Sequence, residues 1–248
     1  METDWDAYLC EIDEKPASIL VDLEYMGVAP VATLPYVAWV YIYMKQPSSD
    51  GLMSDEEYDV LQEIDELFEA RLHAEGTSAF IGRVVHDGCQ RYYFYRSEGE
   101  DWDDRVAAAM RSFPDYESEW GADKDPEWEM FFELLCPDDA ELRTMIDYRI
   151  LESLESNGDP LTASREITHW AYFDDGSTRQ AFQEKVEALG FALVSLGEPD
   201  EEVDQFSIAF ARNDIASYEN ITDVTLPVME LAEECNGHYD GWESVVLD

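Results

Sequence analysis

The sequence predicts an α+β protein divided into two compact units, and three observations carry that prediction. The chain has 248 residues, more than a typical single domain of roughly 100–200. Stretches with a two-residue apolar alternation, the pattern of half-buried strands, are interleaved with stretches of helical period. At Pro137-Asp138-Asp139-Ala140-Glu141 a proline precedes an acidic N-cap with a glutamate three residues on, which marks a fresh helix start. The boundary is therefore set there, giving units 1–137 and 138–248. Hydrophobic residues make up 46% and aromatics 13%, enough to build sizeable cores, so the heavy charge does not imply disorder.

The first unit opens with two strands. Ile19, Val21, Leu23 and Tyr25 alternate within Ala17 to Tyr25, and Val37, Trp39, Tyr41 and Tyr43 alternate within Val37 to Tyr43. Ser54 followed by Glu57 reads as a capping box. Tyr58, Leu61, Ile64, Leu67, Phe68 and Leu72 then recur at helical spacing, with Gly76 as the stop. His86-Asp87-Gly88 is a hairpin turn between strands Phe80 to Val85 and Arg91 to Tyr95, because Asp and Gly tolerate positive φ. A helix over Trp102 to Phe113 stops before Pro114, and Trp128, Met130 and Phe132 alternate as a strand through Leu135.

The second unit starts with a helix carrying Leu142, Met145, Ile146, Ile150, Leu151 and Leu154 and ending at Asn157-Gly158. After it come a strand (Ile167 to Phe173), a helix (Thr178 to Leu189, capped by Ser177 with Gln180) and strands at Phe191 to Leu196 and Phe206 to Ala211. A helix from Asn220 to Glu234 and a last strand from Tyr239 to Leu247 complete it. That order, β-α-β-β-α-β behind a leading helix, is the ferredoxin-like split βαβ arrangement. Pro227 falls inside the last helical pattern and predicts a kink or a late start.

Acidic residues number 58 against 15 basic ones, a formal charge of −43. Such a chain is repelled by nucleic acid and by anionic membranes and favours basic partners, although the same charge also serves solubility or salt adaptation. No apolar run approaches the roughly 18 residues of a membrane span, and Met1-Glu2-Thr3-Asp4-Trp5-Asp6 is no signal peptide, so a cytoplasmic protein is predicted. Cys10, Cys89, Cys136 and Cys235 are scattered, which predicts thiols rather than disulfides or a zinc site. No cofactor or metal is expected.

Catalytic motifs are missing: the sequence contains no phosphate-cradling glycine loop, no G-x-S-x-G and no H-E-x-x-H. His73, His86, His169 and His238 are isolated from one another and receive no catalytic role. Acid pairs occur throughout so acidic a chain, and Asp103-Asp104 and Asp55-Glu56-Glu57 sit where a helix dipole stabilises them. The segment His238-Tyr239-Asp240-Gly241-Trp242 stands apart. It reads either as a recognition surface or as two aromatic core plugs flanking a bulge. The candidate protein-binding residues are Tyr239, Asp240, Gly241, Trp242 and Glu243, together with the exposed acids Asp174 and Asp175.

Residues 138–248 resemble the regulator of ribonuclease E activity B family. The resemblance lies in Leu151-Glu-Ser-Leu-Glu-Ser-Asn-Gly-Asp159, in Arg165 to Phe191, and in Met229-Glu-Leu-Ala-Glu233 leading to Tyr239-Asp-Gly-Trp242. It implies a ferredoxin-like protein that binds the ribonuclease and alters its degradosome without catalysis. Residues 1–137 resemble an uncharacterised family, domain of unknown function six-nine-five, through Pro16-Ala-Ser-Ile-Leu-Val-Asp22, Gly82-Arg83 and Asp125-Pro-Glu-Trp-Glu-Met-Phe-Phe-Glu-Leu-Leu-Cys-Pro137. Charge points the same way independently: residues 138–248 hold 26 acidic against 6 basic side chains. The expected function is a non-catalytic regulator that binds a ribonuclease E-like enzyme or another basic macromolecule. The alternatives are an acidic nucleic-acid mimic or immunity-type inhibitor, and an unrecognised enzyme in the first unit.

Overall fold

The computed structural model describes residues 3–74, 76–99, 101–201 and 203–247. The chain divides into two compact units, Met1–Pro137 and Asp138–Asp248, of mixed helices and antiparallel sheets. Among the described residues no helix is long and apolar enough to cross a membrane, and no group of three or more His, Cys, Asp or Glu is placed to hold a metal ion.

Unit 1 is a six-stranded antiparallel sheet in the order β1-β2-β4-β5-β3-β6. Its strands are β1 (Trp5–Ile12), β2 (Lys15–Asp22), β3 (Tyr36–Tyr43), β4 (Ser78–His86), β5 (Cys89–Arg96) and β6 (Ser118–Lys124). The helices are α1 (Glu24–Val28), α2 (Asp55–Leu72) and α3 (Trp102–Met110). Leu61, Ile64 and Phe68 of α2 and Val106 and Ala109 of α3 bury against Val40, Ile42, Tyr92 and Phe94 of the sheet. The expected hairpin forms, with Asp87 (φ 49°) and Gly88 (φ 75°) both in the left-handed region that a two-residue turn requires.

Several expectations for unit 1 are corrected. Trp128 to Leu135 is not a strand. Asp125 accepts the backbone N–H groups of Glu129 (2.9 Å) and Met130 (3.1 Å) and the Tyr95 hydroxyl, and this starts a π-helical turn over Phe131–Leu135. The buried set is Trp128, Phe131 and Leu135 at helical spacing, with Phe132 exposed, and the Trp128 ring stacks on Tyr95 with centroids 3.8 Å apart. The strand that completes this sheet is β6, and the chain opens on β1, a third strand ahead of α2; both are charged edge strands without clean alternation. Tyr25 lies in α1, not in a strand. The Ser54–Glu57 capping box does not form, because the preceding loop folds back onto it. Glu57 accepts the N–H groups of Lys45 (3.0 Å) and Gln46 (2.8 Å), and the Ser54 hydroxyl donates to the Gln46 carbonyl. The helix ends at Leu72, ahead of Gly76, which serves the turn into β4.

Unit 2 consists of α4 (Asp139–Ser156), β7 (Ser164–Phe173), α5 (Gly176–Ala188), β8 (Ala192–Gly197), β9 (Phe206–Ile215), α6 (Ile221–Glu234) and β10 (Gly237–Glu243). Its four strands are antiparallel in the order β10-β7-β9-β8, the ferredoxin-like βαββαβ arrangement behind a leading helix. The capping box at α4 is reciprocal, Asp138 with Glu141. The α5 cap is Asp175, whose carboxylate accepts the Ser177 N–H at 2.7 Å; Ser177 itself is inside the helix. Helix α6 starts at Ile221 and runs through Pro227, so the late start does not occur. Strand β10 ends at Glu243, short of Leu247, because the tail turns to a buried clamp. There Asp159 accepts from Arg165 Nη2 (2.7 Å) and the Leu247 N–H (2.8 Å), and Arg165 donates to the Val245 carbonyl (3.2 Å). Phe173, Phe182, Ile208, Phe210, Val228 and Tyr239 form one core cluster, and Leu151, Leu154, Ile167, Ile221 and Trp242 a second.

Candidate functional site

The helix α4 carries two interleaved i, i+4 patterns. Arg143 and Asp147 form one of them, and Leu142, Ile146 and Ile150 form the other, one residue out of phase. Simple amphipathicity would bury the second set. The structure buries the charged pair instead: Arg143 is 4% and Asp147 0% exposed, whereas Ile146 is 45% exposed. Three groups face the Asp147 carboxylate. Arg143 Nη2 lies 2.9 Å from Oδ1, the Trp242 indole donates to Oδ1 at 2.8 Å, and the Thr225 hydroxyl donates to Oδ2 at 2.5 Å. Burial raises the Asp147 carboxyl, and Arg143 and the two neutral donors oppose that rise.

The same arginine organises the β10 ending. Its Nη1 donates to the Asp240 carbonyl at 3.2 Å, and its guanidinium lies 5.4 Å from the Tyr239 ring centroid. Strand β10 carries a bulge between Tyr239 and Gly241. Gly241 has φ 147°, and a Cβ there would come within 3.3 Å of Arg143 Nη1, so both the backbone and the close approach select glycine. Tyr239 and Trp242 are core residues, 3% and 5% exposed. The Tyr239 hydroxyl pairs with His169 Nδ1 at 2.8 Å, while His169 Nε2 has no partner among the described residues. Burial pushes the His169 imidazole down to about 3.

The seven candidate residues thus separate. Asp240 and Glu243 are exposed on β10. Asp174 and Asp175 are exposed on the turn from β7 to α5, where Asp174 accepts from Gln205 and Asp175 caps the helix. Phe173 pairs with Gly237 and Thr168 with Glu243, so Asp174 and Glu243 lie toward opposite ends of the pair, roughly 20 Å apart at the rise of a strand. The two acid groups do not form one patch.

What joins Asp240 and Glu243 is a groove beside α4. One depression of about 370 Å³ is lined by Ile146, Ile150, Trp170, Gly241 and Glu243; another of about 450 Å³ is lined by Asp139, Leu142, Met229, Glu233 and His238. They share Arg143, Ile146 and Asp240. Its lining mixes apolar side chains, Leu142, Ile146, Ile150 and Met229, with the acids Asp139, Glu233, Asp240 and Glu243. Leu142, Ile146 and Ile150 mark the helix in sequence, but the exposure of Ile146 is not legible there because both patterns on α4 have the same period. Two things turn the charged pair inward: Leu151 and Leu154 on the same side of the helix are buried, and Trp242 and Thr225 donate to Asp147.

The fold and this groove define a two-module α+β protein whose second module carries a groove lined by both apolar and acidic side chains. Residues 3–136 match the family of unknown function DUF695, and the chain belongs to that family. Residues 144–244 match the family described as regulator of ribonuclease activity B. A comparison with curated proteins finds no match. Among solved structures, one of an unknown protein from Galdieria sulphuraria is similar at 9% identity and a TM-score of 0.23, with 85% of this chain and 99% of that chain covered. A putative glycine cleavage system transcriptional repressor is similar at 11% identity and a TM-score of 0.26, with 85% and 98% covered.

Proposed function

We propose that the protein is a non-catalytic regulator whose second unit docks onto a basic segment of a ribonuclease, of the ribonuclease E-like kind. The observation that carries this reading is α4, which places the exposed Ile146 and the half-buried Leu142 and Ile150 along a groove also lined by Asp139, Glu233, Asp240 and Glu243, while it buries its own ion pair. A groove that combines apolar side chains with acids suits a segment in which basic residues flank a hydrophobic anchor. The family match over residues 144–244 names a ribonuclease as the class of target. His169 and Asp147 lie in the core and not in the groove lining, and burial holds the Tyr239 hydroxyl, which does line it, well above its ordinary range and so protonated, which favours binding over acid–base chemistry.

The test is binding of the intact chain to a purified ribonuclease E-like enzyme, with RNA cleavage followed in parallel. Ile146→Asp changes an exposed side chain and should speed dissociation. Asp240→Asn combined with Glu243→Gln should slow association at low salt. Unchanged binding in both variants would remove the groove from the interface.

A further inference from the structure

Unit 1 encloses a cavity of about 500 Å³ that the regulator reading leaves unused, and that volume falls within the range of small-molecule sites. Its walls come from β1, the end of β2, α1, the loop before β3, α2 and β4. Three of the lining residues are aromatic: Trp5 and Phe80, stacked with centroids 5.1 Å apart, and Tyr25. Two are carboxylates, Asp22 and Glu69. No lysine or arginine is among the described residues that line it.

Asp22 is the informative group. It is 2% exposed, and its Oδ1 accepts the backbone N–H groups of Asp4 (2.9 Å) and Glu24 (3.3 Å). Its Oδ2 takes no hydrogen bond from the described residues. Oδ2 still meets solvent in the cavity, so a ligand that fills the space and displaces that water must offer it a cation or a donor. The Asp22 charge already acts on its neighbour: the Tyr25 hydroxyl is raised first by burial and then by that charge. Aromatic faces attract cations through their quadrupoles, and a buried carboxylate supplies the counter-charge. A neutral apolar ligand would leave Asp22 unanswered, and an anion would be repelled by both acids.

We propose that this cavity binds a small organic cation, an ammonium group on a compact apolar body, with Asp22 as counter-ion and Trp5, Tyr25 and Phe80 as the aromatic walls. The experiment uses the intact chain and two probe pairs, each a cation with its neutral counterpart: choline with 3,3-dimethyl-1-butanol, and 2-phenylethylamine with 2-phenylethanol. Calorimetry at 150 mM salt suppresses diffuse binding of cations to the acidic surface, and the Trp5 indole resonance reports occupancy. At least one cation should bind at least tenfold more tightly than its neutral counterpart and shift the Trp5 signal. Asp22→Asn, which keeps an acceptor for the two backbone N–H groups, and Glu69→Gln, at an exposed position, should each weaken it, the first by tenfold or more. Equal affinity for cation and neutral partner, binding indifferent to Asp22→Asn in a folded variant, or no binding by either cation would each overturn the proposal.

Discussion

Replacing Trp242 by alanine distinguishes a core role for the β10 ending from a surface role. The ring is 5% exposed and packs with Leu151, Leu154, Ile167 and Ile221, so its removal leaves a cavity worth about 3–5 kcal/mol. The lost indole N–H also takes a donor from the buried Asp147 carboxylate, a charge-assisted bond worth roughly 1.5–3 kcal/mol. The two losses overlap, and a total of about 5 kcal/mol is expected, a large share of the roughly 5–15 kcal/mol that stabilises a domain. In urea titrations of the full chain, a slope near 1.5 kcal/mol/M would move the unit 2 midpoint down by roughly 3 M. Trp242→Phe keeps a six-membered ring but loses the donor and the pyrrole atoms, so a smaller shift of roughly 1–2 M is expected. The unit 1 transition should stay in place and serve as the internal reference. If Trp242→Ala shifts the midpoint by less than about 0.5 M while weakening partner binding, the ring is a surface anchor and the packing argument is wrong.

Other perturbations follow from the same contacts. The His169 imidazole is depressed to about 3 by burial, so between pH 7 and 5 the unfolded chain takes up a proton that the folded chain refuses. Its contribution to stability should fall by about 2 kcal/mol by pH 5, and the difference between denaturation curves at pH 7 and 5 should shrink by that amount in His169→Gln. An unchanged difference would refute it. Asp159→Asn strips the buried Arg165 of its counter-charge and should destabilise unit 2 by about 3 kcal/mol, with faster hydrogen exchange at the Leu247 amide. The Asp159 carboxyl is held low chiefly by its hydrogen bonds from Arg165, so its stabilisation is present at neutral pH and is lost as pH falls below about 4. Limited proteolysis should cut first between about 135 and 165 and release a folded 138–248 fragment. Failure of both would mean that the chain has one cooperative core.

The second unit was the more legible in sequence because its strands are buried on one face and its helices carry caps and glycine stops. Asp138 with Glu141, Asn157-Gly158 and the alternation of Phe206, Ile208 and Phe210 each indicate one structure. The first unit misled at Trp128 to Leu135, where alternating large apolar residues imitate a strand. The deciding contacts are long-range, from Asp125 to the Tyr95 hydroxyl and from the Trp128 indole to the Leu34 carbonyl (3.1 Å). Strand β1 was invisible for another reason: an edge strand needs only partial burial, and Leu9 on it is 72% exposed. For the candidate site, Asp240-Gly241 was legible as a bulge from composition alone. The groove was not, because it depends on which of two patterns on α4, equal in period and one residue out of phase, meets Trp242 and Thr225.

The central claim is electrostatic docking of the second unit onto a basic ribonuclease segment, and the most direct test is the association rate of the intact chain with a ribonuclease E-like enzyme as a function of ionic strength. If the acids lining the groove and a basic segment steer the encounter, the rate should fall steeply from low salt to 150 mM, while dissociation, governed by the apolar side chains around Ile146, changes little. An association rate indifferent to salt, or no complex at any ionic strength, would contradict the account.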